Sequence, residues 1–451
     1  LCGRSAAAVV ARGRLASHPL NSVLLRRLSA VPGKEGSLLS APVFEAARVW
    51  EQAGCTLGQL AGQLLHPRLV DALDGAAAER MPRDRRPYVH QLAAWEVAAE
   101  GYSCLVTSGT GSGKTECFMI PMLDDLVRDA AKGRLSGVRA IVIYPLNALI
   151  ESQRERLNAW TEGLKDRITY ALYNGLTPEK PRDVKQILGG AELGDRKSIR
   201  ENPPSILITN VTMLEYLLLR AKDQPILERS QGLLRWIVLD EAHGYIGAQA
   251  AEMALLLRRV RAAFGVEPDQ VRVMATSATI SEGDRKETQD KLKRFVADLA
   301  GASEERVRVI EGHEAEPELP PPNAETVIDP TALSGLSSKE LWERLAPHPR
   351  LRRLRLEMKS HGLHLSKISE ILFDSEECQD KAQTVLDAAA QAQDPKTARL
   401  LLPWRVHLFH RAQGGFWVCI DPNCSHRDPE LANHDAAWGF GAVWLAQRDH
   451  C

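Results

Sequence analysis

No apolar run in this chain approaches the about 20 residues that a membrane-spanning helix needs, so no membrane partner is expected. The chain also lacks a global basic field. Lys and Arg number 57 against 58 Asp and Glu, for a net charge of −1. Any nucleic-acid contact must therefore come from local patches. Cysteine is sparse, with eight among 451 residues. Cys2, Cys55, Cys104, Cys117 and Cys378 are scattered in mostly apolar or helical context, which excludes a disulfide scaffold and reads as reduced thiols of a cytoplasmic protein. The opening stretch has no acid before Glu35 but holds Arg4, Arg12, Arg14, Arg26, Arg27 and Lys34. It reads as a basic arm, a bias that organellar transit peptides share. No internal repeat is present. The length corresponds to about three domains.

What is there is patterned. Residues 40–80 read as helical, from apolar spacing in Ala41–Ala53 and Leu57–Leu65, with Pro67 as a breaker. From Tyr88 to about Ile280, short Val/Ile/Leu-rich runs alternate with helical stretches. The strand candidates are Ser103–Thr107, Ala140–Tyr144, Ser205–Thr209, Trp236–Leu239 and Arg272–Ala275. Each is followed by a polar loop and a helix pattern, the mark of βαβ units around a buried parallel sheet. Ligands of such sheets bind at the carboxyl ends of the strands. Beyond Ile280, the acidic Pro-rich Glu311–Asp329 reads as a linker. Residues 338–393 read as helices broken near Pro347, Pro349 and Asp374. Leu363–Phe373 and Lys381–Ala392 could form a helix-turn-helix or two packing helices. Pro403–Cys451 reads as a small β-rich module.

Chemistry concentrates in two segments. Ser108-Gly-Thr-Gly-Ser-Gly-Lys-Thr115 joins a strand to an apolar helix from Cys117, with Glu116 between them counted among the nucleotide-binding residues. Gly109, Gly111 and Gly113 let the backbone curl, so that the N–H groups of the loop, including those at Thr110 and Ser112, face a phosphate at a helix N-terminus. Lys114 suits the β- and γ-phosphates of ATP, and the Thr115 hydroxyl suits Mg²⁺. Ser108 stands where the strict pattern has Gly. The second segment, Asp240-Glu-Ala-His243, ends an apolar strand. Asp240 suits Mg²⁺ through its water shell, Glu241 suits the attacking water, and His243 suits coupling to a neighbouring motif. Arg258, Arg259 and Arg261 follow as either a basic face or an ordinary solvated one.

Further segments carry a resemblance. Pro87-Tyr-Val-His-Gln91 looks like the Q motif of superfamily 2 helicases, in which Tyr88 and Gln91 read adenine through a bidentate amide. Tyr144-Pro-Leu-Asn-Ala-Leu-Ile-Glu-Ser-Gln153 is similar to motif Ia, Thr209–Tyr216 to motif Ib, and Ser277-Ala-Thr-Ile280 to motif III. The chain as a whole resembles the large bacterial DEAH-box helicases related to MrfA and to the Druantia-defence helicase DruE. Tyr144–Gln153, Asp240–Arg259 and Leu402–Cys419 carry that likeness, supported by Pro42–Glu45 and Leu60–Leu73, and it is loose over 281–400.

The resemblance implies an α/β fold: one RecA-like domain with a parallel sheet flanked by helices, an N-terminal helical region and a C-terminal helical and zinc-module region. The expected boundaries are 1–80, 81–310, 311–402 and 403–451. It implies that Pro145, Asn147, Thr209 and Asn210 touch a sugar-phosphate backbone, with DNA favoured over RNA. It also implies that Ser277, Ala278 and Thr279 couple hydrolysis to strand movement, in repair or antiphage defence. An RNA-directed enzyme, a nucleotide-regulated scaffold and, more weakly, a restriction translocase are the alternatives. The sequence names no accessory protein.

Cys419-Ile-Asp-Pro-Asn-Cys424 has the spacing of a zinc knuckle, with Cys451 the remaining nearby thiol and His426 and His434 as substitutes. Relatives carry a cysteine cluster between their two motor lobes. The sequence holds no Gln-x-x-Gly-Arg-x-Gly-Arg segment of the kind that supplies motor arginines. The expectation is the N-terminal portion of a longer motor, able to bind ATP–Mg²⁺ but slow to hydrolyse it alone.

Overall fold

A computed structural model describes residues 2–13, 17–34, 37–109, 111–180, 191–245, 248–278, 285–323, 328–410, 416–427, 431, 433 and 438–445. The chain divides into two compact units, Leu1–Ala47 with Glu316–Cys451, and Arg48–Ala315. No described helix is long and apolar enough to cross a membrane.

The first unit opens with helices α1 (Cys2–Gly13) and α2 (His18–Leu28) and strand β1 (Val43–Ala46). β1 corrects the helix expected over residues 41–53. Phe44 and Ala46 point inward while Val43 and Glu45 are half-exposed, a period of two rather than 3.6. β1 pairs antiparallel with Trp404–His407 on one side and Leu363–His364 on the other. Its partners lie more than 300 residues away, so a local window cannot see them. Phe44 and Ala46 pack into a core shared by the helices Ser338–Leu345, Pro349–Ser360, Leu365–Phe373 and Gln379–Gln391. Asp374 ends the third of these in a left-handed conformation, φ 56°.

The second unit contains a seven-stranded sheet of β2 (Ser103–Thr107), β3 (Ala140–Ile143), β4 (Tyr170–Tyr173), β5 (Ile206–Thr209), β6 (Trp236–Leu239), β7 (Arg272–Ser277) and β8 (Val307–Glu311). The order is β4-β5-β3-β6-β7-β2-β8, parallel throughout. The strands are aliphatic because both faces are covered. Cys104, Val106, Ala140, Val142, Trp236 and Val238 enter one core, while Leu105, Ile141, Ile143, Ile237 and Leu239 enter the other. Alternation along each strand thus builds the three-layer α/β/α stack.

The first core is closed by α3 (Leu57–Leu60), α4 (Pro67–Asp74), α5 (Val89–Ala99), α6 (Lys114–Asp129) and α7 (Asn147–Glu162). Pro67 opens α4 instead of ending a helix. At the first helical position its missing N–H would have been unsatisfied in any case. The second core is closed by the helices Val211–Leu219, Ala248–Phe264 and Arg285–Ala300.

Candidate functional site

β2 delivers the glycine loop to the carboxyl edge of the sheet, and α6 starts at Lys114. Gly113 has φ +69°, and an added Cβ there would lie 2.2 Å from Gln91 Nε2 and 2.9 Å from Glu116 Oε2. The loop is pinned from inside, with Ser108 Oγ 2.6 Å from Ser112 Oγ. It is also pinned from behind. His90 Nε2 lies 2.8 Å from the Ser112 carbonyl and Gln91 Nε2 donates to the Gly113 carbonyl at 3.1 Å. Burial holds His90 below its usual range. The neutral ring must carry its proton on Nε2, because a carbonyl only accepts.

Gln91 is fully buried, and its Oε1 accepts the Tyr88 N–H at 2.9 Å. In this structure one end of the amide fastens the loop and the other caps the start of α5, where pairing with adenine was expected of it. Sequence reasoning missed Arg48 and Trp50. An added Cβ on Gly109 would lie 3.1 Å from Arg48 Cδ and 3.3 Å from Trp50 Cζ2, and Trp50 meets His90 edge-on. Their only signal was an aromatic beside a charge in a segment read as helix. Gly111 has φ +75°, Thr115 is half-buried, and Thr110 lies outside the described residues.

β6 delivers Asp240 opposite the loop, buried at 8% exposure. Its Oδ1 accepts a short hydrogen bond from the Thr276 hydroxyl, and Thr276 Oγ1 in turn accepts the Glu241 N–H at 3.2 Å. Thr276 thus holds the Asp240 carboxylate and the Glu241 backbone, a role the sequence did not single out. Burial raises the Asp240 carboxyl above the usual range, with repulsion from Glu241 adding to it, against the Thr276 bond and Lys114. Glu241 adopts a left-handed backbone, φ 53°. Its Oε2 lies 3.6 Å from Lys114 Nζ and 3.2 Å from His243 Nδ1.

Two contacts tie this site to the residues after β7. Ala278 N–H donates to His243 Nδ1 at 3.4 Å, and Ser108 N–H donates to the Ser277 carbonyl at 3.2 Å. His243 Nδ1 thus faces both a backbone donor and the Glu241 carboxylate. Thr279 lies outside the described residues.

Further along the same edge, β3 and β5 bring two helix N-termini together. Asn147 opens α7, Asn210 caps the helix Val211–Leu219, and Asn210 Nδ2 donates to Asn147 Oδ1 at 2.7 Å. Pro145 and Asn147 are exposed. Thr209 is buried and its hydroxyl donates to the Tyr173 carbonyl at 2.7 Å, so it supports the edge and does not face outward. The turn Asn174–Thr177 after β4 joins this edge. It is stapled by Asn174 N to Thr177 Oγ1 (2.9 Å) and Leu176 N to Asn174 Oδ1 (2.8 Å), and it leaves Leu176 exposed. Because β4 was not anticipated, this turn was missed as well.

The cysteines lie in the other unit, where Trp417–Val418 pairs antiparallel with Val443–Trp444. An added Cβ on Gly441 would lie 2.7 Å from Cys424 Cβ and 3.0 Å from Cys419 Cβ, so both side chains start from one point. His426 N–H donates to Cys424 Sγ at 3.4 Å. A thiol pair on such a turn fits half of a tetrahedral zinc site. Among the described residues no cluster of three or more metal-type ligands occurs, and His434 and Cys451 lie outside them.

Residues 88–288 match the family model described as DEAD/DEAH box helicase. Druantia protein DruE of Escherichia coli (strain UMEA 4076-1) is 26% identical over 81% of this chain and 27% of that protein. The uncharacterized ATP-dependent helicase YprA of Bacillus subtilis (strain 168) is 27% identical over 48% of this chain and 26% of that protein. The chain thus spans about a quarter of the length of these relatives. The solved DUF1998 helicase MrfA aligns over 56% of this chain and 33% of its own at 24% identity, with a TM-score of 0.41.

Proposed function

We propose that this chain, whose residues 88–288 are a DEAD/DEAH box helicase domain, is the ATP-binding lobe of an ATP-dependent DNA helicase or translocase. One observation carries the reading. A single sheet edge holds Lys114, Asp240 and Glu241 after β2 and β6, and the exposed Asn147 and half-buried Asn210 after β3 and β5. Nucleotide chemistry and backbone contact are then neighbours in one rigid layer.

The loop N–H groups and the α6 N-terminus suit a polyphosphate. Lys114 neutralises its outer charge. Thr115 and Asp240 are the groups that would hold Mg²⁺, which neutralises charge developing between the phosphates. The burial of Asp240 and its single hydroxyl partner fit that task, since a cation relieves a desolvated carboxylate. Glu241 is placed to take a proton from water, its backbone fixed by Thr276. His243, Ala278 and Ser277 pass the state of that carboxylate to the strand end beside Ser108. Asn147, Asn210 and two helix N-termini supply neutral donors, which suit phosphates and read no base. Cys419 and Cys424 would hold a zinc ion together with ligands elsewhere.

The preference for DNA and a place in antiphage defence rest on the family resemblance carried by Tyr144–Gln153, Asp240–Arg259 and Leu402–Cys419. Measuring ATP turnover of the intact protein with single-stranded DNA and with RNA of the same sequence tests the reading. DNA is expected to stimulate more strongly. Greater stimulation by RNA makes the protein an RNA-directed enzyme, and turnover indifferent to both leaves a nucleotide-regulated scaffold.

A further inference from the structure

Helix α7 starts on the proposed nucleic-acid edge at Asn147, and its third turn carries Arg156. The guanidinium reaches toward Glu116, which follows Thr115 in the first turn of α6. Arg156 Nη1 lies 4.0 Å from Glu116 Oε1, beyond hydrogen-bond distance. Glu116 is only 7% exposed, its Oε2 has no hydrogen-bond partner among the described residues, and Arg156 Nε has none either.

The arginine is aimed by its surroundings. Its Nη2 holds Glu79 at 3.2 Å, its guanidinium lies 5.6 Å from the Trp160 ring, and Trp160 Nε1 donates to the Glu79 carbonyl at 2.8 Å. Glu116 is confined in turn, because its Oε2 lies 2.9 Å from where a Cβ on Gly113 would stand. Glu116 is thus paired with Arg156 only at ion-pair distance, with no hydrogen bond to Oε2, and a charge-assisted hydrogen bond to the arginine would satisfy it better. Contact at 2.7–2.9 Å needs the guanidinium to come about 1 Å closer to the carboxylate, which an approach of α7 to α6 would supply.

We infer that Arg156 is a positioning residue that transmits nucleic-acid contact at the start of α7 to the Mg²⁺-binding turn of α6. This rests on the proposed roles of the nucleotide site and the asparagine edge. Engagement of a phosphate backbone at Asn147 draws α7 toward α6, and Arg156 closes on Glu116. The first turn of α6 then holds the Thr115 hydroxyl toward the metal. The path is contiguous, and the inference gives it a second, closed arrangement.

The test compares ATP turnover of the intact protein, with and without single-stranded DNA, for wild type, Arg156→Ala and Arg156→Lys. In Arg156→Ala, basal turnover, KM for ATP and DNA affinity stay within about twofold of wild type, while stimulation by DNA falls about fivefold or more. Arg156→Lys keeps the charge and recovers part of the stimulation. If Arg156→Ala does not fold, as judged by its melting curve, partial loss of stimulation in Arg156→Lys carries the test. Undiminished stimulation in the folded variants, or an equal loss of basal and stimulated turnover, overturns the inference. A wild type indifferent to DNA and RNA overturns the functional reading, and the coupling falls with it.

Discussion

Lys114 and Glu241 face one another across the site, Nζ to Oε2 at 3.6 Å. The lysine meant for phosphate and the carboxylate meant for water are each other's counter-ions. Nucleotide entry must separate them, which readies the carboxylate only when substrate is present. Glu241→Gln is expected to keep nucleotide binding and to lower turnover by about 10²–10⁴-fold, the scale of a lost general base. Lys114→Ala is expected to lose nucleotide binding instead. Single-turnover hydrolysis alongside fluorescent-nucleotide titration separates the two. Wild-type turnover in Glu241→Gln would remove Glu241 from the chemistry.

Asp240 links the site to stability. Burial raises its carboxyl above the ordinary aspartate range, and Glu241 adds to that. Between the ordinary value and the raised folded value, the folded chain holds more protons than the unfolded one. Stability therefore falls as pH rises through that window, and at neutral pH the buried charge destabilises the fold. Asp240→Asn removes the charge while its amide oxygen still accepts the Thr276 hydroxyl. The melting temperature without nucleotide is expected to rise by about 2–4 °C per kcal/mol relieved, as Mg²⁺-dependent nucleotide binding is lost. A lower melting temperature for Asp240→Asn at neutral pH would mean that the charge stabilises the fold instead.

Gly113→Ala should damage loop and fold together. The left-handed backbone costs an alanine about 1–2 kcal/mol, and its Cβ would collide with Gln91 Nε2. Removing that amide in a Gln91→Ala, Gly113→Ala double variant relieves the collision but not the backbone strain. The two effects should therefore be non-additive in a thermal-melting cycle. Strict additivity would mean that Gln91 does not brace the loop.

The intact protein is expected to contain about one zinc ion per chain at the Cys419–Cys424 turn. Metal analysis of wild type and Cys424→Ser decides it. Zinc at background level in the wild type rules the site out, and equal content in both proteins places the metal elsewhere.

Much of the sheet was readable because its central strands are buried on both faces and so are nearly pure aliphatic. The two strands that went unread are its edges. Tyr170–Tyr173 has no β-branched residue, and Val307–Glu311 mixes Arg308 and Glu311 into its run. The catalytic candidates were readable because phosphate and Mg²⁺ chemistry constrain residue type and spacing at once. Their supports were not. Thr276, Trp50, Arg48 and Arg156 act only through neighbours distant in sequence, and none belongs to a local pattern. Thr110, Thr279 and Cys451, all expected at functional positions, lie outside the described residues.

The left-handed backbone at Glu241, φ 53°, gives this position an evolutionary asymmetry. Asparagine and glycine adopt that conformation more readily than glutamate, so selection on folding alone would replace it. On the proposed role, hydrolysis is what holds the carboxylate there. A descendant of this lineage that stopped turning over ATP should lose Glu241 early, to asparagine or glycine, and gain thermal stability as it did. Position 241 is thus a marker by which dead copies could be told from living ones in a genome.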